Sequence, residues 1–324
     1  MSQTVSRMPP SSLIARCLAN RLAHCDNVKE TAVRNQVSRN WTGKIKGALA
    51  KCVAAGALSL CSAVSALAGS FTQPGSTIGP PQGAPIPPGL LFSDWITQGC
   101  RTSPSRLCLG DNISVLIWST PWPIAAARVQ LILAPVVPVW YSIHNVTSSS
   151  GLYDPFGAAQ FAWDLGRGWG VSYLIGYYTA IQGTISSSSN SVNQRVALSY
   201  TANGWNLTTN NILGLVDHPL TNYPHGSPCP SLPSKGCNTD FYNNDIAATK
   251  TFGNWDLGPV GFYSTDLNKP IPSYQKQSQF AVGFLVGYHV GPAVLQTYLT
   301  RVVYQKNYDG YDTRLWASIQ LKLW

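Results

Sequence analysis

Thr313–Trp324 reads TRLWASIQLKLW. Leu315, Ala317, Ile319, Leu321 and Leu323 alternate with Arg314, Trp316, Ser318, Gln320 and Lys322. Strict period two makes a strand with one apolar and one largely polar face. The alternation runs up to a terminal aromatic, where most soluble domains fray. A closed membrane barrel accounts for it, because its last strand pairs with its first and leaves no edge. On this parity Leu315 to Leu323 face lipid and Trp324 falls with the lumen residues. Either Trp324 curls out after Leu323, or a bulge shifts the parity.

The same pattern recurs upstream. Val171, Tyr173, Ile175, Tyr177, Thr179 and Ile181 alternate with small or polar residues, as do Phe280, Val282, Phe284, Val286, Tyr288 and Val290. A sandwich would turn the greasy face inward; a membrane barrel turns it out to lipid and lines its lumen with the other. Connection lengths favour the barrel. Twelve strands are expected near 90–99, 113–119, 126–138, 157–164, 170–181, 194–202, 205–215, 240–252, 255–265, 279–289, 292–303 and 313–324. Long connections (100–112, 139–156, 182–193, 216–239, 266–278, 304–312) then alternate with short ones (120–125, 165–169, 203–204, 253–254, 290–291). Asn203-Gly204 and Gly253-Asn254 suit two-residue hairpin turns. An even strand count, long outer loops and short periplasmic turns define an up-and-down, all-β, transmembrane antiparallel barrel of the outer membrane over 90–324. Trp95, Trp118, Trp122, Trp140, Trp169, Trp205 and Trp255 gather near strand ends, as interfacial girdles require. The weak point is 126–143, where Pro135 and Pro138 cannot donate to a ladder and predict a short or bulged strand. No later segment supplies about 20 uninterrupted apolar residues for a spanning helix.

The chain's net charge of +9 sits mostly at its start: residues 1–68 carry nine of the 22 Lys and Arg and two of the 13 Asp and Glu. The remainder has a net charge of only +2, so a basic nucleic-acid-binding face loses its motivation. Lys44, Lys46 and Lys51 precede the apolar run Cys52–Leu67, and Ala66-Leu67-Ala68 is a small-x-small cleavage site before Gly69. Residues 44–68 therefore read as a signal peptide, and the expected location is the outer membrane of a Gram-negative bacterium. Residues 1–43 read as an extension from a start assigned too early, the alternative being a real cytoplasmic segment. Residues 69–89, ending in FTQPGSTIGPPQGAPIPPG, are too rich in Pro and Gly for a ladder and read as an extended periplasmic lead-in, with entry of 72–89 into the lumen as a plug left open.

Export leaves four cysteines, Cys100, Cys108, Cys229 and Cys237, in two pairs with seven residues inside each. Three pairings are possible, and two local bridges suit an oxidising compartment best. His218 and His225 precede Cys229, but their spacing matches no tetrahedral zinc pattern, so neither a metal nor another cofactor is expected.

Gly151-Leu-Tyr-Asp154-Pro-Phe-Gly157, the GWGVSYLIGYYTAIQG segment, and the ending in which FAVGFLVGYHVGP leads through NYDGYDTRLW to the terminal aromatic carry a resemblance. Over about 90–324 the chain resembles the outer-membrane transporter family named for the meta-pathway of phenol degradation. The resemblance implies a barrel and the uptake of aromatic or otherwise hydrophobic compounds; it implies no catalytic residues.

On the strand parity the lumen-lining candidates are Gln160, Asp164, Arg195, Gln279, His289, Arg314, Gln320 and Lys322. Arg195, Arg314 and Lys322 suit an anionic or phenolate solute, while the plainer reading is that lumen charges pair with one another. Ser142, His144 and Asn145 hold acyl-transfer chemistry, but two positions apart on a strand guarantees no contact and no oxyanion hole is visible. The sequence thus predicts a non-enzymatic channel passing small hydrophobic or aromatic, phenol-like solutes by facilitated diffusion. A structural or adhesive barrel is the first alternative and an outer-membrane lipase or acyltransferase the second. The partners expected are membrane lipid, the barrel-assembly machinery at the C-terminal strand, and the solute.

Overall fold

The computed structural model describes residues 70–324 except 103–105, 145, 182–184, 186–188, 218–238, 270–274 and 309. Its strands, in chain order, are β1 (Gly89–Arg101), β2 (Leu107–Ile124), β3 (Ala127–Ala134), β4 (Val137–Ile143), β5 (Thr147–Tyr153), β6 (Phe156–Gly166) and β7 (Trp169–Tyr178). They continue as β8 (Ser191–Tyr200), β9 (Trp205–Val216), β10 (Phe241–Phe252), β11 (Trp255–Asp266), β12 (Ser278–Val290), β13 (Ala293–Lys306) and β14 (Asp312–Lys322). All pair antiparallel in one sheet, and β1 pairs with both β14 and β2, so the sheet closes on itself. The result is a twelve-stranded barrel, because β3 with β4, and β5 with β6, are the two halves of single interrupted staves.

The closing seam runs from Leu91↔Lys322 to Arg101↔Asp312. β14 is regular through Lys322, and the chain then holds on by its backbone: Leu323 N donates to Leu90 O at 2.8 Å and Leu90 N to Trp324 O at 3.1 Å. Trp324 lies past the last regular pair and is 68% exposed, which resolves the parity question without a bulge in β14.

Inward and outward residues alternate along each wall. On β10 Phe241, Asn243, Asp245, Ala247 and Thr249 are buried, whereas on β12 Val282, Phe284 and Val286 are exposed on the outside. Five two-residue turns close one rim: Ala125-Ala126, Arg167-Gly168, Asn203-Gly204, Gly253-Asn254 and Gly291-Pro292. The first three have positive φ at both central positions, the twist that matches paired strands. The other rim carries the longer connections.

Two features depart from the expected layout. The stretch 139–156, expected as a loop, forms most of a β4–β5 hairpin that prolongs the barrel wall at the long-loop rim. The ladder of β2 with β3 ends at Leu116↔Leu133 and resumes with β4 at Asp111↔Val139. Pro135 lies in the break between them, where the ladder's donors are missing. The facing stave breaks at the same height, at Asp154-Pro155.

The second departure concerns the Pro/Gly-rich segment. It builds no strand, as expected, but residues 70–88 lie inside the barrel and not as a lead-in ahead of it. Phe71 packs among Tyr153, Tyr178 and Phe241, and Ile78 among Ala247, Val260, Leu285, Tyr298 and Trp316. The physical reason is that a proline-rich chain still has carbonyls to satisfy. Lumen side chains supply the donors: Asn243 Nδ2 to Thr72 O (2.9 Å), Tyr298 OH to Gly75 O (2.9 Å), Asn206 Nδ2 to Gly79 O (2.7 Å) and Ser119 Oγ to Ile86 O (2.7 Å). Gln82 O accepts from both Gln160 Nε2 (3.0 Å) and Ser172 Oγ (2.8 Å). The segment descends from the long-loop rim, where Ser70 meets Asn243, to the turn rim, where Gly89 begins β1 beside Trp324.

Candidate functional site

The internal segment divides the lumen. On the side of β8 to β13 it is fastened closely. Asp245 accepts three hydrogen bonds from it: Gly75 N at 2.9 Å, Thr77 N at 3.1 Å and Thr77 Oγ1 at 2.7 Å. Asn210 Nδ2 donates to Thr77 Oγ1 at 2.9 Å, and Gly83 N donates to Ser199 Oγ at 2.8 Å. Gly83 must be glycine, since a Cβ there would stand 2.6 Å from Ser199 N and 2.7 Å from Gly170 O.

On the opposite side, against β1 to β4, a cavity of about 390 Å³ remains. Its wall is apolar: Ile113, Val115, Ile132, Val139 and Phe156 from the barrel, with Phe71, Pro81 and Ile86 from the segment. It abuts the break in the wall, since Ala134 and Val137, which flank Pro135-Val136, both line it. Polar residues line it too, among them Thr72, Gln82, Ser93 and Gln160. Arg195 does so from β8, its Nε held by Asn193 Oδ1 at 2.7 Å and its guanidinium 5.0 Å from the Phe156 ring centre. Trp95, Asp111 and Gln130 also line it, and each has an occluded atom without a hydrogen-bond partner among the described residues: Trp95 Nε1, Asp111 Oδ1 and Gln130 Nε2.

The eight lumen candidates separate by height. Gln160, Arg195 and Gln320 border the chamber, Gln320 donating to Gln296 Oε1 at 2.9 Å. Arg314 is buried nearer the long-loop rim, its Nε 3.0 Å from Asp312 Oδ2 and its Nη1 3.1 Å from Leu109 O. Gln279 is also buried, on a small cleft beside Ser70 and Gln73. His289 pairs with Asp256 at 2.8 Å, and Asp164, which accepts from Gly166 N at 2.8 Å, is exposed at the turn rim, as is Lys322. Arg314 and His289 thus have acidic partners within hydrogen-bond distance, whereas Arg195 lines the chamber with Asn193 and Tyr178 as its nearest partners.

Cys100 and Cys108 are bonded and stand opposite one another at the long-loop end of β1 and β2. Cys229, Cys237, His218 and His225 lie outside the described residues, as do Ala66, Ala68 and Gly69. Ser142 lies on β4 and His144 in the turn after it, both exposed, while Asn145 is outside the described residues. Among the described residues no cluster of three His, Cys, Asp or Glu side chains fits a metal ion.

Sequence reasoning missed the residues that grip the internal segment, Asp245 and Tyr298 above all. Their signal was present but ambiguous: Asn243, Asp245 and Thr249 share the polar parity of β10, which any barrel lumen has. It also missed Asp94, which points outward and is held by Asn112 Nδ2 at 3.0 Å and Ser114 Oγ at 2.5 Å, beside the stretch of β2 where the ladder breaks.

A closed barrel of twelve strands with a filled lumen is the fold of an outer-membrane channel. The chain belongs to the family described as "Putative MetA-pathway of phenol degradation", whose model matches residues 93–319. Among solved structures the fold resembles the COG4313 outer membrane channel from Pseudomonas putida F1, with a TM-score of 0.61 at 11% identity, covering 75% of this chain and 99% of that one. It also matches the translocator domain of the autotransporter NalP from Neisseria meningitidis, with a TM-score of 0.47 at 9% identity over 74% of this chain and 90% of the other. The curated proteins contain no match.

Proposed function

We propose that this protein is an outer-membrane channel that takes small hydrophobic or aromatic, phenol-like compounds across by facilitated diffusion. The observation that carries the reading is the chamber: a cavity of about 390 Å³ beside the internal segment, with a largely aliphatic and aromatic barrel wall. A hydrophilic pore needs a wetted path lined by groups that replace hydration. This lumen spends many of those groups on the internal segment, and the open space keeps a mostly apolar lining. The turn rim is then periplasmic and the long-loop rim external. Export through residues 44–68, with cleavage between Ala68 and Gly69 guided by Ala66, belongs to the same reading.

Such solutes cross a plain phospholipid bilayer unaided, so the test belongs in cells with an intact outer membrane. Uptake of radiolabelled phenol and toluene is measured in a deletion strain and in the strain complemented with the chain. Slower uptake in the deletion strain, restored by complementation, is expected; equal rates for every solute tried would overturn the reading. A second reading, a barrel without transport, is favoured by the internal segment, which occupies the bore from Ser70 to Pro88. It predicts that equality.

A further inference from the structure

Cations collect on the outer face of the wall near the long-loop rim. Arg301 on β13, Thr313 on β14 and Cys100 on β1 stand side by side across the closing seam, through the register pairs Arg301↔Thr313 and Cys100↔Thr313. Their chain neighbours Thr300, Val302, Asp312, Arg314 and Arg101 are buried on the lumen side, so these three residues face outward. A cleft in this face is lined by Gln98, Cys100, Arg106, Arg301 and Thr313, among others. Arg106 and Arg301 are exposed, and neither has an acidic partner among the described residues. Arg301 donates to Thr313 Oγ1, while the neighbouring carboxylate of Asp312 is buried and turned to Arg314. Lys276 and Lys306 add two exposed cations farther toward the rim. Toward the turn rim the same outward face becomes apolar. Leu299 and Leu315, a register pair two residues from Arg301 and Thr313, are 51% and 50% exposed, and Ile96 on β1 is 49% exposed.

Arginines without acidic partners at the head of an apolar stripe fit an amphiphile in one orientation, with its hydrocarbon chains on the stripe and an anionic head at the cleft. We propose that this cleft seats a phosphate group of lipopolysaccharide, the phosphorylated glycolipid of the external leaflet. Its acyl chains lie against Leu299, Leu315 and Ile96, and its phosphorylated sugar meets Arg106 and Arg301. A guanidinium can hold a phosphate through two parallel N–H···O bonds, which a lone ammonium cannot do, so a pair of arginines suits this head group. A glycolipid without phosphate leaves both cations unanswered. The assignment rests on the orientation given above, in which the long-loop rim is external, and adds a partner that the solute reading does not require.

The test titrates the full-length protein in detergent with lipid A, the phosphorylated anchor of lipopolysaccharide, and with the same lipid stripped of its phosphates. Native mass spectrometry counts the bound lipid. The wild type is expected to bind the phosphorylated form at least about tenfold more tightly. The double variant Arg106→Gln with Arg301→Gln should lose most of that difference, with heat-modifiable gel migration unchanged to show that the barrel is folded. Lys250→Gln, which removes an exposed-face cation close to the opposite rim, should keep the difference. Excess inorganic phosphate should leave lipid A bound, because the acyl chains hold it as well. Equal affinity for the two lipids, an unchanged preference in the double variant, or displacement by inorganic phosphate overturns the lipid assignment and leaves the channel reading to its own uptake test. Orientation is checked separately: Lys306→Cys should react with a membrane-impermeant maleimide in intact cells, above the wild-type background. Absence of that labelling overturns the orientation and the lipid assignment together.

Discussion

Asp245 is the residue on which the filling of the lumen turns. Its carboxylate takes two backbone N–H groups and one hydroxyl from the turn at Gly75–Thr77, all buried. Replacement by alanine strands those donors, and removing a charged partner from a buried set costs about 3 kcal/mol. Asp245→Ala is therefore expected to loosen the internal segment while leaving the wall ladders intact. Planar-bilayer recording should show a higher single-channel conductance, with heat-modifiable gel migration unchanged. Tyr298→Phe removes a single bond, to Gly75 O, and keeps the stacking on Trp316, so its effect should be smaller, about 1 kcal/mol, with conductance close to wild type. At this scale the sequence was half legible. The parity of Thr313–Trp324 places Trp316 with the lumen residues, and the structure buries it completely. That it lies beneath Ile78 was not legible, because nothing in a period-two pattern says what fills the space the pattern encloses.

Among the elements, the turns and the broken staves are the most informative. Ala125 and Ala126 adopt φ of 47° and 59°, the left-handed region that alanine enters at a cost of about 1 kcal/mol each. The neighbouring hairpin solves the same geometry with Asn203-Gly204, at 54° and 74°. Replacing Ala125-Ala126 by Asn-Gly is expected to stabilise the barrel by about 1–2 kcal/mol, read as a higher temperature of the folded-to-unfolded mobility shift on gels. The Cys100–Cys108 bridge closes a short loop across a register pair. Its double serine variant should lose about 2 kcal/mol by the same assay and keep the barrel. Strands β6 to β14 were legible because each alternates over most of its length between turn signals, the register shifting only near the ends of β6 and β13. The region 126–156 was legible only as a weakness, since Pro135 and Pro138 announce that a ladder fails without saying that it resumes beyond them. The hairpin of β4 and β5 escaped for that reason. Its residues Thr147–Gly151 are small and polar, and pairing rather than periodicity makes them strands.

For the molecule as a whole, barrel closure was legible and the contents of the barrel were not. Alternation specifies a wall, and the alternation of long and short connections specifies closure. The Pro/Gly-rich segment carries neither signal, and its place follows from donors scattered over β2, β6, β7, β9, β10 and β13 that share only their facing direction. Deleting residues 70–84 is expected to raise conductance further than Asp245→Ala and to abolish binding in the chamber, whose inner wall is that segment; ion conductance and ligand titration of the deleted form check both. N-terminal sequencing of the exported protein tests the proposed start at Gly69. Labelling of free thiols in the same material tests the proposed Cys229–Cys237 bridge.

The course of residues 70–88 also bears on the order of events in assembly. The chain enters its own bore near the long-loop rim, leaves at the turn rim, and only there becomes β1. Once β1 and β14 have zipped from Leu91↔Lys322 to Arg101↔Asp312, the segment is an enclosed thread whose two ends lie toward opposite mouths. Laying it against β9, β10 and β13 while the sheet is still open requires no threading, so the β1–β14 seam is the natural last ladder to form. Closure is then a sealing event, in which the wall shuts over contents already in place.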